Sequence, residues 1–131
     1  MKKIDALILA FVISSWASFG VGGFARQFIG GEARFGKVEG SRYYTYSQGR
    51  YTEVSRWMFY LSKAHSAYIV ITGPISVVCG LVWMALFTRR TPRREQDALL
   101  KQAAKRYSYV SWGVPTLWVL AYLVCAFIPR G

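Results

Sequence analysis

Three long apolar segments restrict the fold of this chain more than any other feature of its sequence. They run over residues 4–25, 66–87 and 108–128, and Asp5 is the only Asp, Glu, Lys or Arg within them. A helix of about 20 residues spans the ~30 Å hydrocarbon layer of a bilayer, and a helix satisfies its backbone polar groups without water. The sequence therefore predicts an all-α membrane protein with three transmembrane helices in one integral domain, residues 1–131.

The composition excludes several other classes of protein. The formal net charge is +11, although 53% of the residues are hydrophobic. Nucleic-acid binders owe a high charge to exposed Lys and Arg, without so large an apolar fraction. Disordered chains have low hydrophobicity, and the two cysteines are too few for a disulfide scaffold. A membrane protein with basic loops remains, and no nucleic-acid partner is expected.

The first apolar segment also has some features of a signal peptide. Lys2 and Lys3 precede the apolar run, and Ser15-Trp16-Ala17 resembles a cleavage site with small residues. The apolar run nevertheless continues past this site through Phe24. A retained transmembrane helix is the favoured interpretation, with cleavage as the alternative.

The loop of residues 26–65 contains the signature of a β-hairpin. Tyr, Thr and Val lie on both sides of Ser47-Gln48-Gly49, where Gly suits a tight turn. Tyr and Arg are enriched where proteins bind each other. We therefore expect this extracytoplasmic loop to bind another subunit, while a hairpin lying on the lipid surface is the alternative. The expected partner-binding residues of the loop are Arg42, Tyr43, Tyr44, Tyr46, Arg50 and Tyr51.

The loop of residues 88–107 predicts a short amphipathic helix on the cytoplasmic membrane surface. Thr91-Pro92 suits a helix start, and Leu99, Leu100 and Ala103 share one face of the helix that follows. Its basic residues are expected to contact anionic lipid headgroups, or they serve only to set the topology. These residues are Arg89, Arg90, Arg93, Arg94, Lys101, Lys105 and Arg106.

The distribution of Lys and Arg predicts the orientation in a bacterial inner membrane. The N-terminus and the loop of residues 88–107 carry nine such residues, and the opposite side carries eight. The difference between nine and eight hardly distinguishes the two orientations. However, seven of the nine residues are concentrated in the loop of residues 88–107, close to two helix ends, where the positive-inside rule is strongest. The N-terminus is therefore expected in the cytoplasm and the C-terminus outside.

Small residues recur at every fourth position of the first helix: Ala6, Ala10, Ser14, Ser18 and Gly22. This spacing allows close approach of two helix backbones. The face is interpreted either as a binding surface for another chain or as packing within this chain, and the sequence favours neither.

His65 is the only histidine, and it is the candidate ligand if the chain binds a cofactor. One histidine cannot hold a bis-histidine haem, so a haem would have to be shared with another subunit. A quinone or pigment capped by His65, Trp118 or Tyr122 is a further alternative, and an interfacial histidine without a ligand is the simpler one. No metal site is expected, and Cys79 and Cys125 are expected to be free because they lie at different depths of the membrane.

The sequence contains no recognisable catalytic set, and the spans lack the charged residues that ion pathways use. An enzyme is therefore not expected. The leading hypothesis is a small accessory, structural subunit of a larger inner-membrane protein complex. The alternatives are a cofactor-capping subunit of an electron-transfer complex and a self-assembling, holin-like pore.

Overall fold

The computed structural model describes residues 3–128, except for the side chains of residues 107 and 110. It contains three helices and one small sheet: α1 (Lys3–Ile29), β1 (Glu32–Glu39), β2 (Arg42–Ser47), β3 (Arg50–Val54), α2 (Arg56–Arg90) and α3 (Arg93–Phe127). The protein is mostly helical, as predicted. The label all-α needs correction, because the loop between α1 and α2 forms a three-stranded sheet.

Two helices, α1 and α2, are each long and apolar enough to cross a membrane, and α3 is a third candidate if its two segments form one span. The segment predicted for the second span lies within α2, which starts ten residues earlier, at Arg56. The hydroxyl of Ser55 caps this start by accepting a 3.2 Å hydrogen bond from the backbone N–H of Met58. With 35 residues, α2 is about 52 Å long, which is more than the ~30 Å that a helix needs to cross a hydrocarbon layer.

The amphipathic helix and the third span, predicted as two elements, form one helix in the structure. The segments Arg93–Arg106 and Ser111–Phe127 of α3 meet at a bend of about 40°. The bend lies where the sequence suggested a boundary, because the polar face of residues 93–106 gives way there to the apolar run. All seven basic residues of the segment 88–107 are exposed.

The sheet is antiparallel with the strand order β1-β2-β3. The turn between β2 and β3 consists of Gln48 and Gly49, whose φ angles are 47° and 82°. Positive φ at both positions is the geometry that twists two strands into a tight hairpin, so the predicted hairpin is confirmed. The first strand was not predicted; it joins β2 through a second turn, in which Gly40 has a φ of 60°.

Helix α1 packs against both α2 and α3. Its small-residue face is buried, from 0% exposure at Ser18 to 7% at Ser14. A Cβ placed on Gly22 would lie 2.8 Å from the side chain of Ile69 on α2, so that side chain packs directly on the backbone of α1 here. The interpretation of Ala6, Ala10, Ser14, Ser18 and Gly22 as a surface for another chain is therefore corrected: this face packs within the chain.

The remaining faces of the helices are apolar and exposed. Ile71 and Leu81 of α2 are 62% and 63% exposed, and Leu117 of α3 is 65% exposed. Such a continuous apolar exterior is unfavourable in water, whereas it suits contact with lipid. The fold thus buries small residues between its helices and leaves large apolar residues outside.

Candidate functional site

His65 lies at the centre of the sheet end of the helices, with only 1% of its surface exposed. Its Nε2 is 3.1 Å from the backbone carbonyl oxygen of Ser18 on α1. A carbonyl only accepts hydrogen bonds, so Nε2 carries the proton. In the neutral ring, Nδ1 then accepts a hydrogen bond from the hydroxyl of Tyr122 on α3, at 3.0 Å. One side chain of α2 thereby joins all three helices.

The three residues named for a cofactor site, His65, Trp118 and Tyr122, are brought together by the structure. The imidazole stacks on the indole of Trp118, with ring centroids 4.2 Å apart and planes 13° from parallel. Both ring nitrogens of His65 are engaged by the protein, however. Ligation of a haem iron requires a free nitrogen, so this arrangement does not offer His65 as a ligand.

A carboxylate from the sheet extends this polar cluster. Glu32 of β1 accepts a 2.7 Å hydrogen bond from the hydroxyl of Ser66 on α2, and the guanidinium of Arg26 on α1 donates another at 3.0 Å. The hydroxyl of Ser62 accepts from the backbone N–H of Ala33 at 3.2 Å. These bonds connect β1 to α1 and to α2.

We call this group of six residues the polar cluster: Arg26, Glu32, Ser62, His65, Ser66 and Tyr122. The six surround a cavity of about 10 Å³, roughly the space that one water molecule needs. The contact between Glu32 and Ser66 could not be predicted from the sequence, because the two residues lie 34 positions apart and meet only through the tertiary fold.

The helix-facing side of the sheet packs on the ends of α1 and α2. Thr45 is fully buried, and its hydroxyl donates to the carbonyl of Ile29 at the end of α1 at 3.0 Å. The ring of Tyr43 contacts Phe59 and Tyr60 of α2, with centroids 5.5 and 5.8 Å away. Tyr43, one of the predicted partner-binding residues, thus serves to seat the sheet on α2.

Alternate residues of the strands point to the opposite side of the sheet, which we call the open face. It carries Lys37, Arg42, Tyr44, Tyr46 and Tyr51. The rings of Tyr46 and Tyr51 lie 5.0 Å apart, and the ammonium of Lys37 lies 4.4 Å from the ring of Tyr51. Of the six partner-binding residues predicted for the loop, four lie on this face, while Tyr43 and Arg50 occupy positions of the opposite register.

Charges on the open face are partly paired. The ammonium of Lys37 lies 2.6 Å from the carboxylate of Glu39, and this hydrogen bond raises the pKa of Lys37 above its usual value. The guanidinium of Arg42 is a looser 4.0 Å from Glu53. Both pairs are exposed, so they contribute little to stability and mainly set the local pattern of charge.

Within residues 3–128, no group of three or more His, Cys, Asp or Glu side chains is placed to hold a metal ion. Cys79 and Cys125 are free thiols, as predicted. At the other end of the molecule the seven basic residues of the segment 88–107, which the sequence predicted to contact lipid headgroups, form an exposed group.

Comparison with protein-family models found no match, and neither the curated proteins nor the solved structures gave a significant match.

Proposed function

We propose that this chain is a small accessory, structural subunit of a larger protein complex in the bacterial inner membrane. Its three helices anchor it, and the open face of the sheet binds another subunit outside the cytoplasm. The observation that carries the proposal is the cluster of Tyr44, Tyr46, Tyr51 and Lys37 on the side of the sheet opposite the one that packs on α1 and α2.

The chemistry of this face suits a protein interface. A tyrosine buries a large rigid ring while its hydroxyl keeps a polar partner, so it contributes contact area at a small entropic cost. Tyr51 is 49% exposed and retains much area to bury. The polar cluster and Thr45 hold the sheet firmly on the helices, which presents the tyrosines in a fixed arrangement. A preformed surface loses less entropy on binding.

The proposed orientation places the basic residues of α2 and α3 in the cytoplasm and the sheet outside. Alkaline phosphatase fused after Gly131 is then expected to be active, and a fusion after Lys101 inactive. The reverse pattern would contradict the orientation. It would leave the proposed interface intact but place it in the cytoplasm.

The interface is tested by the double substitution Tyr44→Ser and Tyr51→Ser in the full-length chain. Native electrophoresis of a mild-detergent extract is expected to show the wild type in an assembly much larger than its own 14.9 kDa. The double variant is expected to leave that assembly, because truncation of interface tyrosines typically costs ~2 kcal/mol or more. Tyr109→Ser is the matched control, since this tyrosine is 87% exposed on α3, away from the sheet.

Loss of the assembly in the Tyr109→Ser control as well would attribute the effect to removal of any exposed tyrosine. An unchanged assembly in the double variant would reject the open face as the interface. A wild-type chain that migrates alone would reject the accessory-subunit proposal itself. Replacement of residues 42–53 by a Gly/Ser linker should leave membrane insertion intact in every case, because the three spans are unchanged.

A further inference from the structure

Strand β3 forms a free edge of the sheet. Within residues 3–128, β2 is its only neighbouring strand, and the first four residues of β3 are exposed. Its five pairs with β2 follow one another without a bulge. The strand therefore presents a regular row of backbone N–H and C=O groups to its surroundings, which is the surface that another strand recognises.

The register identifies the backbone groups that face outward. Arg50 adjoins the two-residue turn, and in such a hairpin the residues that flank the turn exchange both of their hydrogen bonds. Bonded pairs alternate along an antiparallel ladder, so Thr52 and Val54 also bond to β2. The N–H and C=O groups of Tyr51 and Glu53 therefore point away from β2. They offer two donors and two acceptors at the spacing of a strand.

The opposite edge of the sheet, at β1, is less regular and is partly covered. Its register with β2 shifts between Glu32 and Lys37. The backbone N–H of Ala33 already donates a hydrogen bond to the hydroxyl of Ser62 on α2. Irregular pairing and a covering helix are two ways in which proteins close a sheet edge. Of the two edges, the one at β3 combines exposure with a regular register.

The edge of β3 borders an apolar groove. The groove has a volume of about 450 Å³ and opens between α1 and α3, and Thr52 and Val54 are among the residues that line it. Phe28 of α1 and Leu123 of α3 contribute to its walls. A strand added to β3 would direct alternate side chains to the helix-facing side of the sheet, where the groove lies. The edge thus supplies main-chain hydrogen bonds, and the groove supplies room for an apolar side chain.

A second copy of this chain does not fit the edge of β3. Strand β1 runs along α2, because Glu32 bonds to Ser66 while Gly36, four residues later, lies against Phe59, a residue seven positions earlier in the helix. Two copies joined through β3 in one antiparallel sheet are related by a two-fold axis perpendicular to the sheet, and this rotation reverses the direction of the helices. Copies that share one orientation in the membrane cannot be joined in this way.

We propose that a different subunit binds at this edge by adding an extended strand to β3, with an apolar side chain beside Thr52 inserted into the groove. The backbone groups of Tyr51 and Glu53 select this kind of partner. A helix bonds its own backbone groups internally, and an acyl chain has none to offer. This inference rests on the proposed function, because it states how the partner of the open face is held.

The first test measures amide hydrogen exchange in the full-length chain, both alone in detergent and within its assembly in a mild-detergent extract. In the chain alone, the amides of Tyr51 and Glu53 are expected to exchange fast. In the assembly, both should slow by about tenfold or more. The amides of Arg50, Thr52 and Val54 bond to β2 in both states and should change less. This alternation is specific to strand pairing, since simple covering of the sheet does not single out alternate residues.

The second test compares Glu53→Pro with Glu53→Ala. Proline removes the outward N–H, whereas alanine removes the same carboxylate and keeps the N–H. In native electrophoresis the assembled fraction is expected to fall about fivefold in Glu53→Pro, the scale of one lost hydrogen bond, and to remain near the wild-type value in Glu53→Ala. Thermal unfolding of the isolated variants establishes that they are folded. The exchange measurement needs no substitution and decides the question if Glu53→Pro does not fold.

Unprotected amides at Tyr51 and Glu53 within an intact assembly would overturn strand addition and leave the open face as the interface. An unchanged assembly in a folded Glu53→Pro variant would do the same. An assembly that contains only copies of this chain would overturn the choice of partner. A wild-type chain that migrates alone would reject the proposed function together with strand addition, so the two failures are distinguishable.

Discussion

The two ends of the helical bundle are held together by different interactions. At the sheet end, the side chains of the polar cluster bond from one element to another, and His65 alone joins three helices. At the other end, Trp83 stacks on Phe87 with centroids 5.0 Å apart, and the hydroxyl of Thr88 bonds to the carbonyl of Met84 in its own helix. Directional bonds between elements fix the geometry of the sheet end. At the opposite end, beside the turn between α2 and α3 (the turn end), stacked aromatic rings contribute to the packing.

This difference indicates which end determines the arrangement of the helices. Within a membrane, apolar side chains gain little by leaving lipid for one another, so polar contacts and close packing select one arrangement. The largest effects of substitution are therefore expected in the polar cluster.

The largest expected effect is that of His65→Phe. The new ring still stacks on Trp118, but both hydrogen bonds of His65 are lost and the half-buried hydroxyl of Tyr122 loses one of its partners. We expect a loss of about 2–3 kcal/mol in the free energy of unfolding. Trp83→Phe at the turn end should cost only ~1 kcal/mol, because the indole N–H of Trp83 has no hydrogen-bond partner among the described residues. Denaturant unfolding in detergent, followed by tryptophan fluorescence, measures the free energy of unfolding of both variants. Equal losses in His65→Phe and Trp83→Phe would contradict the difference between the two ends.

The next effect in size is that of Glu32→Ala. This carboxylate has a side chain only 14% exposed and accepts two hydrogen bonds, so its removal should cost about 1–2 kcal/mol. Glu39→Ala is the control, because its pair with Lys37 is exposed and the unfolding midpoint should change much less than in Glu32→Ala. Thermal melts at low and high salt measure the effect. A larger loss of stability in Glu39→Ala than in Glu32→Ala would indicate that the ion pair on the open face contributes more to stability than the pair of Glu32 with Arg26.

A smaller effect is expected for Thr45→Val, which keeps the shape of the side chain and removes its hydroxyl. The hydroxyl bonds to the carbonyl at the end of α1, so we expect a loss of ~1 kcal/mol and faster proteolysis of the sheet. Limited proteolysis at fixed temperature measures the rate at which the sheet is cleaved. Thr116→Val is the control, since that hydroxyl bonds to the carbonyl of Trp112 within α3 and should leave the sheet unaffected.

The smallest effect concerns the pH dependence of the open face. The pKa of Lys37 is raised in the folded protein by its pair with Glu39. The stability that this ammonium contributes is therefore fully present below the unfolded pKa of ~10.4, and it is lost as the pH rises through the higher pKa of the folded state. The difference in melting temperature between wild type and Lys37→Met should thus stay constant from pH 7 to about 9.5 and shrink above about 10.5. A difference that shrinks below pH 9 would contradict this assignment.

The sequence was sufficient to predict most of the elements but not how they pack. Long uncharged runs predicted the helices, and Gln48-Gly49 between Tyr-rich segments predicted one hairpin. Strand β1 was missed, because the glycines within it and beside it suggest a loop. Gly36, within the strand, is needed there: a Cβ at this position would clash with the backbone carbonyl of Tyr44 and contact Phe59.

The candidate site was predicted in part. His65, Trp118 and Tyr122 were chosen for their chemistry, and the structure places them together, but the sequence could not show that both nitrogens of His65 are engaged. The tyrosines of the loop were treated as one group, yet the strand register separates Tyr43 from Tyr44 and Tyr46. The alternation of side chains along β2 places Tyr43 on one side of the sheet and Tyr44 and Tyr46 on the other. The sequence alone does not show which of these sides faces the helices.

The position of α1 between its two neighbours has a consequence for biosynthesis. This helix is synthesised before α2 and α3, and these two helices, which cover its serine-lined face, are completed only after roughly 100 further residues, about 5–20 s of translation. During that interval the hydroxyls of Ser14, Ser15 and Ser18 are not yet covered by α2 and α3. A chaperone that shields these hydroxyls until α2 and α3 are complete would raise the yield of correctly folded protein.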